Sequence, residues 1–572
     1  MVHSKNSPET ESSTATAAFS VSKEECFATF TGEYRKYQED AIAELLDNFK
    51  KGNDVALNLP TGTGKTIVFL SVAIALADLG YRVAILVATN QILDQIKQKY
   101  LPMFRMKTFP AIVKGIEHYI CRITGENADY GTCTPEQKEL CSTSNPNCDV
   151  LQSNKAFEEH GFVLTNFHKF LSMQDNRGFD LVIIDDSHGF ENALDDKFQS
   201  RVSYYQMDGL FKRHDQAGDI VADFAGAFLD FFDDAFNTIP LDKKYESMRV
   251  PNDIIKKIAE IDCYDDLHNQ IKKLDELDRS ICRGVSYFVK CCQNSSVNKI
   301  YIQKDHYNLE NRQEAALIAR KSDKYQRSVV KKKFRKPKLV LASATLGDIV
   351  THANCCTFKE YDENTISTVP KTQPDAVRKW FDGLRIFETK DSPEATEDQI
   401  EKAAEMALEI LKRTQGKTLL LFKSYRDQER ARKILENSIN RKITFIDDSF
   451  QSETVQKYVE QADIIMASAS SRLWEGIDIS DLKLEIIFSL PFIRPPVHLE
   501  KSAGFFFSRR KMLIRLQQGI GRLIRKEDDK GLCIILDKRL EKYKNSANFS
   551  EAFREKIQFV SFEELLEKLK RN

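Results

Sequence analysis

No stretch of this sequence approaches the roughly 18 consecutive apolar residues that a bilayer-spanning helix needs, so an integral helical membrane protein is excluded. An excess of either charge is also missing: 84 Lys and Arg stand against 85 Asp and Glu, a formal net charge of −1. Whole-chain charge therefore points to no acidic partner, and any nucleic-acid surface has to be a local basic patch. Cysteine is sparse, 12 in 572 residues, too thin for a disulfide-stapled secreted fold. Residues 1–25 are rich in Ser, Thr and Ala but lack the apolar core of a secretory signal. A disordered leader and a cytoplasmic protein are the expectation. No repeat of fixed period is visible. What is present is ordinary apolar content, 42%, including 37 Phe, which excludes disorder throughout. The length suits about three to five domains at roughly 100–200 residues each.

Two regions, about 30–190 and 338 to the C-terminus, read as α/β layers. In the first, Val55–Leu59, Arg82–Val87 and Phe179–Ile184 are buried-strand candidates, and Ile67–Leu79 carries helical apolar spacing. The second offers Lys338–Ala342, Thr418–Phe422, Asp463–Met466, Leu484–Phe488 and Leu532–Leu536. Strands alternating with helices predict parallel sheets covered on both faces. Between them, Ala222–Phe236 and Asn252–Leu277 keep a helical period with few strand signals, so 191–335 reads as a helical insertion.

Three motifs carry chemistry. Thr61-Gly62-Thr63-Gly64-Lys65-Thr66 follows a strand and opens a helix, as a phosphate-binding loop does, although the first Gly of the strict form is missing. Glycines let backbone N–H groups face phosphates at the positive helix end; Lys65 would reach the β/γ-phosphates and Thr66 would bind Mg²⁺. Asp185 and Asp186 end an apolar strand, where Asp185 suits a Mg²⁺ ligand and Asp186 a general base. Gln517–Arg525 sets Arg522 and Arg525 three apart, on one face if helical, as arginines that offset charge on a transferring phosphoryl group. They act on the phosphate loop only if two domains face each other across ATP.

A fourth constellation is Cys121, Cys133, Cys141 and Cys148, within one short segment. No C-x-x-C pair is present, and the spacing leaves open a [4Fe–4S] cluster, tetrahedral Zn²⁺ or four ordinary buried cysteines. Two surface candidates remain. The basic run Lys331–Lys338 touches phosphates or is a solvated face. Phe505–Phe507, ahead of Arg509 and Arg510, reads as core packing in preference to base stacking.

Taken in order, the motifs resemble those of superfamily 2 helicases, and more narrowly the XPD/DinG group of iron–sulfur DNA helicases. Arg35-Lys-Tyr-Gln38 is similar to the adenine-reading Q motif, Gly62–Thr66 to motif I, and Thr89-Asn-Gln91 to motif Ia. Asp185–His188 resembles motif II, Ser343-Ala-Thr345 motif III and Phe422–Tyr425 motif IV. Ser471–Asp478 with Ser489–Phe492, Gln518–Arg525 and Ile535–Arg539 resemble DinG forms of motifs V and VI and the strands after them. Lys114–Cys121 resembles the opening of the family's iron–sulfur domain. The likeness spans about residues 30–540.

The resemblance implies an α/β fold with two RecA-like motor domains, at 26–110 with 150–190 and at 336–572, the latter ending in a C-terminal helix. It implies an iron–sulfur insertion at 111–149 and a helical arch at 191–335. It further implies an ATP-driven helicase moving 5′ to 3′ on single-stranded DNA and opening forked duplexes, with ATP, Mg²⁺ and a [4Fe–4S] cluster. Arg35 and Gln38 would hold adenine, while Glu475, Gly476, Asp478 and Gln518 would come from the second motor. Motifs Ia and V with Thr165–His168 would contact DNA or couple it to ATP, and the tail Phe562–Lys570 is a candidate dock for a protein partner. One position departs: the family usually has Asp-Glu-Ala-His at motif II, and Asp186 is a methylene shorter than Glu. A misplacement of about 1 Å costs on the order of a hundredfold in rate, so slow turnover is an expectation, and a weakly active DNA-binding subunit or an RNA-directed remodeller is the alternative.

Overall fold

The computed structural model describes residues 19–570 apart from 61, 124, 126, 129–146, 174–177, 215–218, 239–246, 260–273, 295–297, 305–311, 372–378, 380, 393–399, 447–451, 469–478, 494, 498, 500, 525–528, 547 and 550. Its frame is a pair of seven-stranded sheets. The first runs Ile366–Val369, Asp54–Asn58, Lys338–Ser343, Leu181–Asp185, Val83–Val87, Phe162–Asn166, Ala111–Val113. The second runs Ile443–Ile446, Ile464–Ser468, Lys417–Phe422, Leu482–Ile487, Gly531–Ile535, Leu384–Thr389, Ile557–Val560. Every pairing in both is parallel. Helices cover both faces, and for that reason strands such as Val83–Val87 are apolar at each position instead of alternating. In the first domain, Phe69 and Leu76 of the helix Lys65–Asp78 pack one face, and Phe157, Phe170, Phe190 and Phe334 the other. The expected α/β class with two motor-type parallel sheets is what the chain builds.

Several boundaries differ from the sequence reading. Lys338–Ser343, assigned above to the second region, lies in the first sheet, with Val340 beside both Val55 and Ile183. Ile366–Val369 then forms that sheet's edge. An apolar run tells that a strand is buried but not in which sheet; here the chain leaves the first sheet after Asp185 and returns only beyond the middle region. Ala111–Val113 also belongs to the first sheet, paired to Phe162–Asn166, so the cysteine-rich segment starts after Val113 and not at 111. Residues 19–25, assigned above to the leader, pack on the first domain. Phe19 sits edge-on to Phe49 and Tyr81, with centroids 5.2 and 5.1 Å away, and Ser22 with Glu25 forms a capping box on the helix Lys23–Thr29.

The middle region is not purely helical. Its helices Ile220–Thr238, Asn252–Ala259 and Glu276–Gln293 accompany a four-stranded antiparallel sheet in the order Gln199–Ser203, Ala316–Lys321, Asn298–Gln303, Ser247–Arg249. Phe224, Phe228, Phe232 and Phe288 fill the core between them. The strand Gln199–Ser203 buries side chains at alternate positions only, so it offers too few apolar residues to stand out in the sequence.

Candidate active site

The strand Asp54–Asn58 delivers the chain through Leu59 and Pro60 into the glycine loop and then the helix Lys65–Asp78. Gly62 and Gly64 both hold φ +83°, a left-handed backbone that side chains resist. At Gly64 a Cβ would also collide with the Gln38 amide. Thr63 Oγ1 donates to Pro60 O at 2.6 Å, closing the turn. From the helix Lys36–Lys50, Gln38 Nε2 and Tyr37 Oη both donate to Thr63 O, at 2.9 and 3.0 Å. Gln38 Oε1 accepts the Arg35 amide at 2.9 Å, and Arg35 Nη1 donates to Tyr37 Oη at 2.7 Å. Both ends of the buried Gln38 amide are thus engaged, and its visible work is to buttress the phosphate loop. Thr66 lies in the first helical turn; Thr61 is outside the described residues.

Lys65 and the two aspartates meet as the sequence predicts. Lys65 Nζ stands 2.9 Å from Asp186 Oδ1 and 3.4 Å from Asp185 Oδ1. Burial opposes the ammonium's charge, but the two carboxylates outweigh it and raise the Lys65 pKa. Burial pushes Asp185 up to about 6, with Lys65 working against that shift. At Asp186 the order reverses: burial raises it, yet Lys65 and His188 hold it below the usual range. Asp186 also adopts φ 48°, ψ 48°, a left-handed backbone that a short Asp enters more readily than most residues.

The second sheet reaches this site through the helix Lys501–Ile520. Gln518 Nε2 contacts His188 Nε2, and His188 Nδ1 lies 3.1 Å from Ser343 Oγ, so the candidate motifs II, III and VI are in direct contact. Arg522 departs from the sequence reading. The helix ends at Ile520, and Arg522 sits in the following turn with its amide donating to Gly519 O at 3.0 Å. Arg522 is therefore not on a helical face, because Gly519 and Gly521 weaken the helix there. Arg522 is buried, and its charge partly offsets the burial that raises the pKa of Glu485. Arg525, Glu475, Gly476 and Asp478 lie outside the described residues.

Sequence reasoning missed a buried ionic cluster beside this contact. Glu191, three residues past His188, takes Arg510 Nη1 at 2.8 Å and Nη2 at 2.5 Å, Lys511 Nζ at 2.9 Å and His352 Nδ1 at 2.9 Å. Glu191, His352 and Cys356 also bring donor atoms within 4.8 Å of one another. Fixed guanidinium and ammonium charges already serve that carboxylate, and burial raises the Cys356 thiol well above its usual range, so an ion-pair network describes the group better than a metal centre. The sequence singles out Phe505–Phe507 ahead of Arg509 and Arg510, and gives no sign of this network. Those residues invert the core-packing expectation: Phe505 is 54% and Phe506 60% exposed, with Arg509 5.1 Å over the Phe506 ring, while Arg510 is buried. Two of the six basic residues in the run are structural: Lys333 Nζ donates to Phe170 O at 2.9 Å, and Lys338 to Gly52 O.

Of the cysteine segment, Cys121 is half-buried and Cys148 buried, while Cys133 and Cys141 lie outside the described residues. Arg122 and Asp149, the next residues after those two cysteines, pair at 2.8 Å. The segment's base is tied to the candidate motif Ia: Lys114 pairs with Asp94 at 2.8 Å, and His118 meets Asn90, which accepts from Asn166 at 2.8 Å.

Comparison with known proteins bears on this geometry. A helicase C-terminal domain model matches residues 407–556, and a model described as the res subunit of type III restriction enzymes matches 31–211. A probable ATP-dependent helicase of Methanocaldococcus jannaschii is 22% identical over 607 residues, covering 88% of this chain and 91% of that protein. The DinG helicase of Mycobacterium tuberculosis is 29% identical over 153 residues, 24% and 23% of the two chains. The DNA helicase YoaA of Escherichia coli is 34% identical over 106 residues, 16% of either. A solved XPD helicase shares the fold with a TM-score of 0.67 at 15% identity, covering 92% of this chain and all 100% of that one. With a helicase C-terminal model on the second parallel-sheet domain, ATP-dependent helicases among the relatives and the phosphate loop, motif II and motif VI residues in contact, this chain is an ATP-hydrolysing helicase, similar to DinG in sequence and to XPD in fold.

Proposed function

We propose that the chain is a DNA helicase that binds ATP between its two parallel-sheet domains, moves 5′ to 3′ on single-stranded DNA and opens forked duplexes. The observation that carries this reading is the junction at motif II, where Lys65 holds Asp185 and Asp186 from one side and Gln518 meets His188 from the other. Lys65 binds the β- and γ-phosphates, which compete with the two carboxylates for its ammonium. Thr66 and Asp185 hold Mg²⁺, which when bound offsets phosphate charge. Asp186 takes the proton of the attacking water. Arg35 and Gln38 set the loop and meet the adenine, and Glu475, Gly476, Asp478, Arg522 and Arg525 complete the second motor's side. DNA as the track is supported by the name of the YoaA relative and by the exposed Phe505 and Phe506 beside Arg509, which suit base stacking. Polarity rests on the family resemblance. Among the described residues no helix is long and apolar enough to cross a membrane, and we place the protein in the cytoplasm. Strand displacement decides substrate and direction: a fork with a 5′ DNA tail is opened, whereas a 3′ tail or RNA supporting equal opening contradicts the reading.

Cys121, Cys133, Cys141 and Cys148 are proposed to hold a [4Fe–4S] cluster. Two features favour a crosslinked segment. Its apolar cluster is small, Ala128, Cys148 and Val150 with Ile116, Tyr119 and Leu151 against it, and the Arg122–Asp149 pair draws the first and last cysteines' neighbours together. An anaerobic preparation carries iron, sulfide and a visible absorption band that Cys121→Ala removes; zinc in equal amount overturns the cluster. The region 191–335 is proposed as the arch beside the DNA path except at its ends, where the helix Phe190–Phe198 and Phe334 pack on the first sheet, and its Ser247 Oγ lies 3.5 Å from Val497 O of the second motor.

A further inference from the structure

The ionic cluster missed by the sequence reading runs from one motor domain to the residue next to the candidate general base. Arg510 and Lys511 stand on the helix Lys501–Ile520 of the second domain, two turns before Gln518. Glu191 belongs to the helix Phe190–Phe198 of the first, which follows motif II directly. His352 comes from a third element, Ile349–Thr357, after the middle region has returned the chain to the first sheet. Glu191 Oε1 accepts from Arg510 and from His352 Nδ1, and the other face of the same imidazole, Nε2, lies 3.0 Å from Ser187 Oγ. Lys511 adds bonds to His188 O at 3.1 Å and Asn192 Oδ1 at 3.3 Å. Every member is nearly closed to solvent: Ser187 0%, His352 1%, Lys511 4%, Glu191 and Arg510 6% exposed.

Chemistry fixes the direction of each bond. Although burial favours its neutral acid, Lys511 and Arg510 hold Glu191 well below the usual carboxylate range, so it is ionised. Burial lowers His352, leaving a neutral ring. Nδ1–H therefore donates to Glu191 and Nε2 accepts the Ser187 hydroxyl. The chain of bonds is Arg510, Glu191, His352, Ser187, and Ser187 is covalently next to Asp186. Parting the two domains takes Arg510 and Lys511 away from the Glu191 carboxylate and leaves its bond to His352. With both cations gone, water or other donors compete for the carboxylate, which changes its bond to His352 and through it the hold on Ser187.

We propose that Glu191 and His352 are positioning residues for Asp186, tying the orientation of that carboxylate to the docking of Arg510 and Lys511 across the cleft. The inference rests on the reading of Asp186 as the hydrolytic base. It makes hydrolysis report domain closure through side chains outside the helicase motifs, and it gives the helix of Gln518 a second hold on motif II.

Four proteins test it: wild type, Glu191→Gln, Glu191→Gln with Arg510→Met, and Asp186→Asn, each measured for DNA-stimulated kcat, ATP KM and thermal midpoint. Glu191→Gln keeps the shape but leaves two buried cations without a counter-charge, so both kcat and the midpoint fall. Adding Arg510→Met removes one of those cations and returns the midpoint toward wild type. Because the relay stays broken, kcat remains down by about tenfold to a hundredfold, the scale of a misplaced reacting group, with KM within about twofold. Recovery of kcat together with the midpoint means that Glu191 is structural only and overturns the proposal. So does a wild-type kcat in Glu191→Gln. Asp186→Asn is the separate control: if it turns over normally, the reading of Asp186 fails, whatever the other variants do.

Discussion

Lys65 Nζ and Asp186 Oδ1 lie 2.9 Å apart, although 121 residues separate them in the chain. The pair forms because a parallel sheet lines up the C-terminal ends of its strands: Asn58 pairs with Ser343, and Ala342 with Asp185. Each motif leaves the sheet at the same edge, so loop and carboxylates converge without either being shaped for the other. The nucleotide chemistry of this helicase depends on that edge.

At motif II the expected substitution is informative. Asp186→Glu extends the carboxylate by one methylene toward the attacking water, and kcat for DNA-stimulated ATP hydrolysis rises by about tenfold, within the hundredfold that about 1 Å of misplacement costs. The left-handed backbone at φ 48° accepts Glu less readily, so the thermal midpoint drops slightly in the same protein. Steady-state kinetics beside a melting curve checks both signs. An unchanged kcat means that Asp186 already reaches the water.

Gln518→Ala removes the contact with His188 and leaves the phosphate loop intact. Nucleotide affinity stays within about twofold while DNA loses most of its stimulation of hydrolysis, a loss carried in kcat and not in KM. Titrating ATPase activity with single-stranded DNA shows this directly; full stimulation in the variant rules out the contact as a coupling element.

Much of the site was legible because its parts are local in the chain. Gly62, Gly64, Lys65 and Thr66 sit within one turn, and Asp185 and Asp186 end an apolar strand, a weak signal by itself that the phosphate loop makes specific. Gln518 was placed by motif order. What sequence could not show is partnership across domains. Arg510 is buried because Glu191 comes from the other domain to meet it, and apolar character alone favoured core packing for the Phe residues, of which Phe505 and Phe506 are exposed. Lys338–Ser343 failed in the same way: an apolar run does not say which of two sheets it joins.

Burial also leaves a pH signature in the second domain. Glu485 lies inside the strand Leu482–Ile487, and burial, partly offset by Arg522, raises its pKa from 4.5 to about 8. Between those values the folded chain binds more protons than the unfolded chain, so this group's contribution to stability falls as pH rises and is fully lost above about 8. Glu485→Gln cannot ionise. Its thermal midpoint relative to wild type therefore climbs from about pH 6 to about pH 9, and a constant difference across that range would show that Glu485 is ionised throughout.

The most direct measurement is ATP hydrolysis by Lys65→Ala in the presence of single-stranded DNA. Losing the ammonium that pairs with Asp185 and Asp186 at the phosphate loop lowers turnover by about a hundredfold or more, in a protein that still folds and binds DNA. Turnover at the wild-type rate would contradict the account, because ATP would then be hydrolysed without the residue that joins the loop to motif II.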